Sequence, residues 1–196
     1  MRTATIKRET KETKINLTLN LDGDGQSSIN TGVGFLDHML TLLAFHGQFD
    51  LSLTCDGDLQ VDSHHTVEDI GIALGDALTE CLGDKRGIYR YGSFTIPMDE
   101  ALVTVDLDIS GRAFLVYHVP DLPTVVLGNY ETEMTEEFFR ALATHGDLTL
   151  HINEHYGKNS HHIIEACFKA LGRALKQAVK IDPENADKVS SSKGVL

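Results

Sequence analysis

The segment His64-His65-Thr66-Val67-Glu68 opens one apolar-periodic stretch, and His161-His162-Ile163-Ile164-Glu165 opens another. On an α-helix, positions four apart share a face. His64 therefore lies above Glu68, and His161 above Glu165, while the second histidine of each pair points about 100° away. One ion is not expected to take all three side chains of a cluster. Two ions can be held if the clusters pair across each other. Imidazole nitrogen with carboxylate oxygen suits a borderline or harder divalent metal.

The segments around the clusters repeat too. Residues 4–21 alternate, with Ile15, Leu17, Leu19 and Leu21 on one face, which predicts a half-buried strand or, alternatively, a hairpin turning near Glu9–Glu12. Asp22-Gly23-Asp24-Gly25 is a turn, Gly34 to Gly47 a helix closed by its last glycine, and Phe49 to Cys55 a strand. The first cluster then opens a helix with Val67, Ile70, Leu74, Leu78 and Cys81 inward. Glu12 to Gly23 matches Glu100 to Gly111, and His38 to Gly47 aligns without gaps on Glu137 to Gly146. Leu51-Ser52-Leu53 aligns on Leu148-Thr149-Leu150, and the second cluster opens a helix with Ile164, Phe168, Leu171, Leu175 and Ala178 inward.

The pattern predicts an α+β fold made of two tandem copies of a strand–helix–strand–helix unit of about ninety residues, with helices packed between two mixed sheets. Residues 1–93 form the first half, 94–182 the second and 183–196 a C-terminal tail, all in one compact unit. Packing through the helices is expected to bring the two His-His helix starts together across a pseudo-twofold axis. The repeat maps His38 onto Glu137, so four ligands would assemble twice: a His and Glu from one cluster, a His from the other, and His38 or Glu137.

A net charge of -12 argues against a nucleic-acid surface, which needs a basic stripe. No apolar run reaches the length of about eighteen residues needed for a membrane span, and the N-terminus lacks an apolar signal segment. Cys55, Cys81 and Cys167 have no CxxC spacing and read as reduced thiols of a cytoplasmic protein. Ten histidines stand out from an otherwise ordinary composition. His46 and His145 precede glycines at helix ends, where the dipole favours them; His46, beside the ligand helices, is the better candidate for substrate contact. His118, His151 and His155 carry no signal. Arg90 and Arg112, taken alone, read as solvated charges. Gly32-Val33-Gly34 lacks the third glycine of a dinucleotide fingerprint, and Asp37-His38 has no nucleophile elbow beside it. The residues alone leave open a dinuclear metalloenzyme, a phosphatase among them, or a metal-binding shell protein without turnover.

Several motifs together resemble the imidazoleglycerol-phosphate dehydratase family. They are Gly34-Phe35-Leu36-Asp37-His38-Met39-Leu40, Asp62-x-His64-His65-Thr66-Val67-Glu68-Asp69, Leu82-Gly83-Asp84-Lys85-x-Gly87-Ile88, Pro97-Met98-Asp99-Glu100-Ala101 and Ser110-Gly111-Arg112. Asn159-Ser160-His161-His162-x-x-Glu165-x-x-Phe168-Lys169-Ala170 and the terminal Ser191-Ser192-Lys193-Gly194-Val195-Leu196 complete the match. The resemblance implies dehydration of imidazole glycerol phosphate to imidazole acetol phosphate in histidine biosynthesis, with two manganese ions per site, in a large homo-oligomeric shell.

Carried over by motif, one manganese would be held by His38, His65, His161 and Glu165, and a second by His64, Glu68, Glu137 and His162. The family's pattern has His where this chain has Glu137, which adds negative charge and hardness to that site. Substrate contacts are implied at Glu12, His46, Arg90, Arg112, Lys169, Ser191, Ser192 and Lys193, and the ligand side chains His38, His64, Glu68 and His161 would also face the substrate. The tail and the arginines are expected from different subunits, placing the active site at an interface. For this substrate we expect a manganese-bound imidazolate whose ring electrons expel the hydroxyl and leave a diazafulvene. Glu12 is the acid/base the resemblance suggests.

Overall fold

The computed structural model describes residues 1–196. In the first half, β1 (Thr3–Glu9) and β2 (Thr13–Asn20) form an antiparallel hairpin, and β3 (Ser27–Asn30) leads into helix α1 (Gly34–Gly47). β4 (Asp50–Gly57) pairs antiparallel with β2 and parallel with β3, giving the order β1-β2-β4-β3, and α2 (His64–Leu82) follows. The second half has β5 (Tyr91–Met98), β6 (Ala101–Asp108), β7 (Phe114–His118), a small hairpin of β8 (Val126–Leu127) and β9 (Tyr130–Glu131), then α3 (Met134–His145), β10 (Thr149–Tyr156) and α4 (Ser160–Val179). Its sheet order, β5-β6-β10-β7, is that of the first sheet, with β7 parallel to β10 as β3 is to β4.

Alternation makes the sheets one-sided. Ile15, Leu17 and Leu19 on β2, and Val103, Val105 and Leu107 on β6, are buried, while the residues between them face outward. Each sheet lays its apolar face on one long helix: α2 on β1 and β2, α4 on β5 and β6. The shorter helices cross over, α1 packing against α4 and α3 against α2. All the expected inward residues of α2 and α4 are buried, and Phe138, Phe139 and Phe168 meet in the centre. Glycines permit both helix crossings. A Cβ on Gly172 would lie 2.7 Å from the Leu43 carbonyl oxygen, and one on Gly75 would lie 2.8 Å from the Gly146 nitrogen.

The alignment of Leu51 on Leu148 is two residues out. Leu19 pairs with Leu51 and its counterpart Leu107 pairs with Leu150, so Leu51 corresponds to Leu150. The two-residue difference between the α1–α2 and α3–α4 segments therefore lies after the strand, in the β4–α2 loop, which is the longer of the two. β3 and β7 are absent from the expected pattern because each is short and lacks a clean apolar alternation. Residue 93 falls within β5. The tail returns to the body through the bridges Ile88 to Ile181 and Arg86 to Val189. The three cysteines are free, and no helix is long and apolar enough to cross a membrane.

Candidate active site

Both cluster-bearing helices start on an Asx turn. Asp62 Oδ1 accepts from the His64 N–H at 2.8 Å, and Asn159 Oδ1 accepts from the His161 N–H at 2.9 Å. From these starts the helical geometry works as expected: His161 Nε2 is 3.1 Å from Glu165 Oε2, and His64 Nε2 is 3.7 Å from Glu68 Oε2. α1 crosses α4 so that His38 Nε2 comes within 3.5 Å of the same Glu165 oxygen. The ligand atoms of His38, His161 and Glu165 all lie within 4.8 Å of one another. Two imidazoles and a carboxylate are a donor set that fits a borderline or hard divalent cation. Burial pushes the Glu165 carboxyl up, but the Lys169 ammonium, 2.5 Å away, and His161 outweigh it and hold it below the usual range.

The second histidines point elsewhere, each toward a carboxylate. His65 Nδ1 sits 2.9 Å from Asp58 Oδ2, with its Nε2 3.8 Å from Glu12. His162 Nδ1 sits 2.7 Å from Glu100 Oε2, with its Nε2 3.8 Å from Asp99. The hydrogen bonds that their Nδ1–H groups donate to Asp58 and to Glu100 raise the two imidazoles above their ordinary value, and Glu100 in turn is held down to about 2, chiefly by His162. A carboxylate on Nδ1 leaves Nε2 as the outward nitrogen, the arrangement common behind metal-ligating histidines.

The two His-His starts do not meet within one chain, contrary to the sequence expectation. The β8–β9 hairpin stands between them: Ser63 donates to Glu131, Tyr130 packs at a tilt on Phe35, and Phe35 meets His161 edge to face. His65 is therefore not part of the His38, His161 and Glu165 cluster, and His162 is not beside His64. Glu137, the counterpart of His38, lines a cavity of about 450 Å³ with His118, Glu133 and Glu136.

A sequence model of the family described as imidazoleglycerol-phosphate dehydratase matches residues 31–175. The chain belongs to the imidazoleglycerol-phosphate dehydratase family. It is a hydro-lyase family acting in histidine biosynthesis. The chain is 65% identical to the imidazoleglycerol-phosphate dehydratase of Lactococcus lactis subsp. cremoris (strain SK11), over 100% of this chain and 98% of the relative. It is 61% identical to that of Heliobacterium modesticaldum over the full length of both. Its fold superposes on the crystal structure of the Staphylococcus aureus imidazoleglycerol-phosphate dehydratase with a TM-score of 0.83 at 43% identity, covering 92% of this chain and 99% of that one.

The residues that the dehydratase motifs mark for substrate are spread over the chain, with Glu12 beside His65, and His64 and Glu68 paired on α2. Arg90, Arg112, Ser191, Ser192 and Lys193 line one cavity of about 490 Å³. Tail and arginines meet within this chain, where Arg90 Nη1 donates to the Ser190 carbonyl at 2.8 Å and ties the tail down. Arg90 also forks onto Asp108 at 2.6 and 3.0 Å, which raises its pKa and fixes its plane. Lys169 and His46 sit instead with the His38 cluster, where burial first, then the Lys169 and Arg173 cations, lower the His46 imidazole. Sequence reasoning missed Asp58 as a partner of His65; its only signal was an acidic residue in the loop before the cluster.

Proposed function

We propose that this dehydratase converts imidazole glycerol phosphate to imidazole acetol phosphate. In this reading His38, His65, His161 and Glu165 hold one manganese ion, and His64, Glu68, Glu137 and His162 a second. The observation that carries it is the convergence of His38, His161 and Glu165 from two helices. Within a single chain His38, His161 and Glu165 converge without His65, and His64 pairs with Glu68 without His162; each missing histidine stands with Nε2 outward, held through Nδ1 by Asp58 or Glu100. A neighbouring copy in a large homo-oligomer supplies it, so each active site is shared between subunits.

Bound by these residues, the ions would supply Lewis-acid charge to the imidazole ring of the substrate. Arg112, Ser191, Ser192 and Lys193 offer a fork, hydroxyls and an ammonium to the phosphate. Arg90 walls the same cavity while spending most of its donors on Asp108 and the tail. Lys169 and the lowered His46 flank the ring end. Glu12, half exposed beside His65 Nε2, takes the proton that becomes acidic once ring electrons have expelled the neighbouring hydroxyl and left a diazafulvene. The resulting enol returns a proton to the carbon beside the ring and becomes the ketone, so one water is lost overall. A positioned carboxylate contributes about 10²–10⁴-fold.

The test is ultraviolet detection of the ketone from imidazole glycerol phosphate, after chelation and again after adding manganese. Manganese-dependent ketone supports the reading. Phosphate release without ketone points to a hydrolase, and no product from assembled, metal-loaded protein removes the substrate assignment.

A further inference from the structure

Asp69 follows Glu68 on α2 and is buried, with 7% of its surface exposed. Arg8 on β1 donates to its Oδ1 through Nε and Nη2, at 3.1 and 2.8 Å, and the Thr13 hydroxyl on β2 donates to its Oδ2 at 2.5 Å. The network continues into the β1–β2 turn. Thr10 Oγ1 accepts from the backbone N–H groups of both Glu12 and Thr13 at 3.0 Å. The Glu12 carbonyl accepts from the Asp58 N–H at 3.0 Å, and Asp58 holds His65 on α2. Hydrogen bonds therefore run from α2 through the turn that carries Glu12 and back to α2.

The second half builds the same corner without any of this. Register pairs Arg8 with Ile15 as Ile96 pairs with Val103, so Ile96 takes the place of Arg8. Ala101 begins β6 as Thr13 begins β2, and Ala166 follows Glu165 as Asp69 follows Glu68. Both alanines are buried. The fold thus closes there with apolar residues, and replacing a buried ion pair by apolar packing is often neutral or stabilising. The corners differ also in how the glutamate is held. Glu100 is pinned by its own bond to His162, whereas Asp58 occupies the matching nitrogen of His65 and leaves the Glu12 carboxylate unpinned.

We propose that Asp69, Arg8 and Thr13 are positioning residues that hold the Glu12 turn against the His65 end of α2, a role resting on the reading of Glu12 as the acid/base. Thr13→Val keeps the shape and removes the link to Asp69. It is expected to lower kcat by about tenfold or more, with KM close to the parent, a lower Tm from the unpartnered Asp69 oxygen, and both activity and Tm restored in Thr13→Ser. On a Glu12→Gln background it should cost nothing further, since the carboxylate it positions is gone. The apolar triple Arg8→Ile/Thr13→Ala/Asp69→Ala should stay as stable as the parent and still lose turnover. Parent-like kcat in Thr13→Val, or a full additional loss on the Glu12→Gln background, overturns the proposal even if the triple variant fails to fold. Parent-like kcat in Glu12→Gln alone removes the Glu12 reading and the positioning role with it. Loss in Glu12→Gln without loss in Thr13→Val removes only the positioning role.

Discussion

The carboxylate of Glu100 lies 2.7 Å from Nδ1 of His162. Its repeat counterpart Glu12 makes no such bond, because Asp58, from the longer β4–α2 loop, holds His65 Nδ1 instead. Equivalent glutamates at the ends of equivalent hairpins thus stand in different surroundings. Glu100→Gln is expected to weaken manganese binding by about 10–100-fold, with turnover recovered at excess metal. Glu12→Gln should bind metal and assemble normally yet lose most turnover. Calorimetric titration separates the two; unchanged affinity in Glu100→Gln means that this bond does not orient a ligand.

Glu137 stands where the other half has His38. An imidazole in its place lowers the charge and the hardness of the donor set. Glu137→His should therefore shift selectivity from manganese toward zinc or cobalt while the protein still binds a metal there. Competition between the metals in parent and variant measures this, and identical selectivity would take Glu137 out of the ligand set.

His46 titrates below the usual 6.5, through burial first and the Lys169 and Arg173 cations second. The unfolded chain therefore binds this proton at a higher pH than the folded one does. Stability present above 6.5 is lost as pH falls from there toward the folded value. Imidazole NMR should find the His46 titration midpoint below 6.5, and His46→Gln should flatten the stability profile in that window. A titration midpoint above the usual value contradicts the environment described here.

Gly172 sets the α1–α4 crossing. A Cβ there would lie 2.7 Å from the Leu43 carbonyl oxygen and 3.1 Å from the Gly47 nitrogen. Gly172→Ala must spread the helices, at a cost of about 1–3 kcal/mol. Because His38 rides on α1 and His161 on α4, the same change should also weaken metal binding. Thermal melts with and without manganese check both effects, and the crossing is looser than described if neither moves.

Chain order already determined much of this protein. Period-two alternation in Ile15, Leu17 and Leu19, and helical periodicity in the segments opened by His64 and His161, are local signals that need no tertiary contact. The same geometry fixed that His161 would face Glu165 and that His162 would not. β3, β7 and the β8–β9 hairpin escaped because they are held by neighbours rather than by their own patterns. Tertiary structure alone decided the partners of the site residues. It laid α1 on α4, which gave His38 to Glu165, and set the β8–β9 hairpin between the two histidine pairs. It also chose Asp58 over Glu12 for His65 and closed the tail onto Arg90. Hydrogen bonds and ion pairs of this kind join residues far apart in the chain, and sequence periodicity holds no record of which of two nearby carboxylates a folded backbone will carry to a given nitrogen.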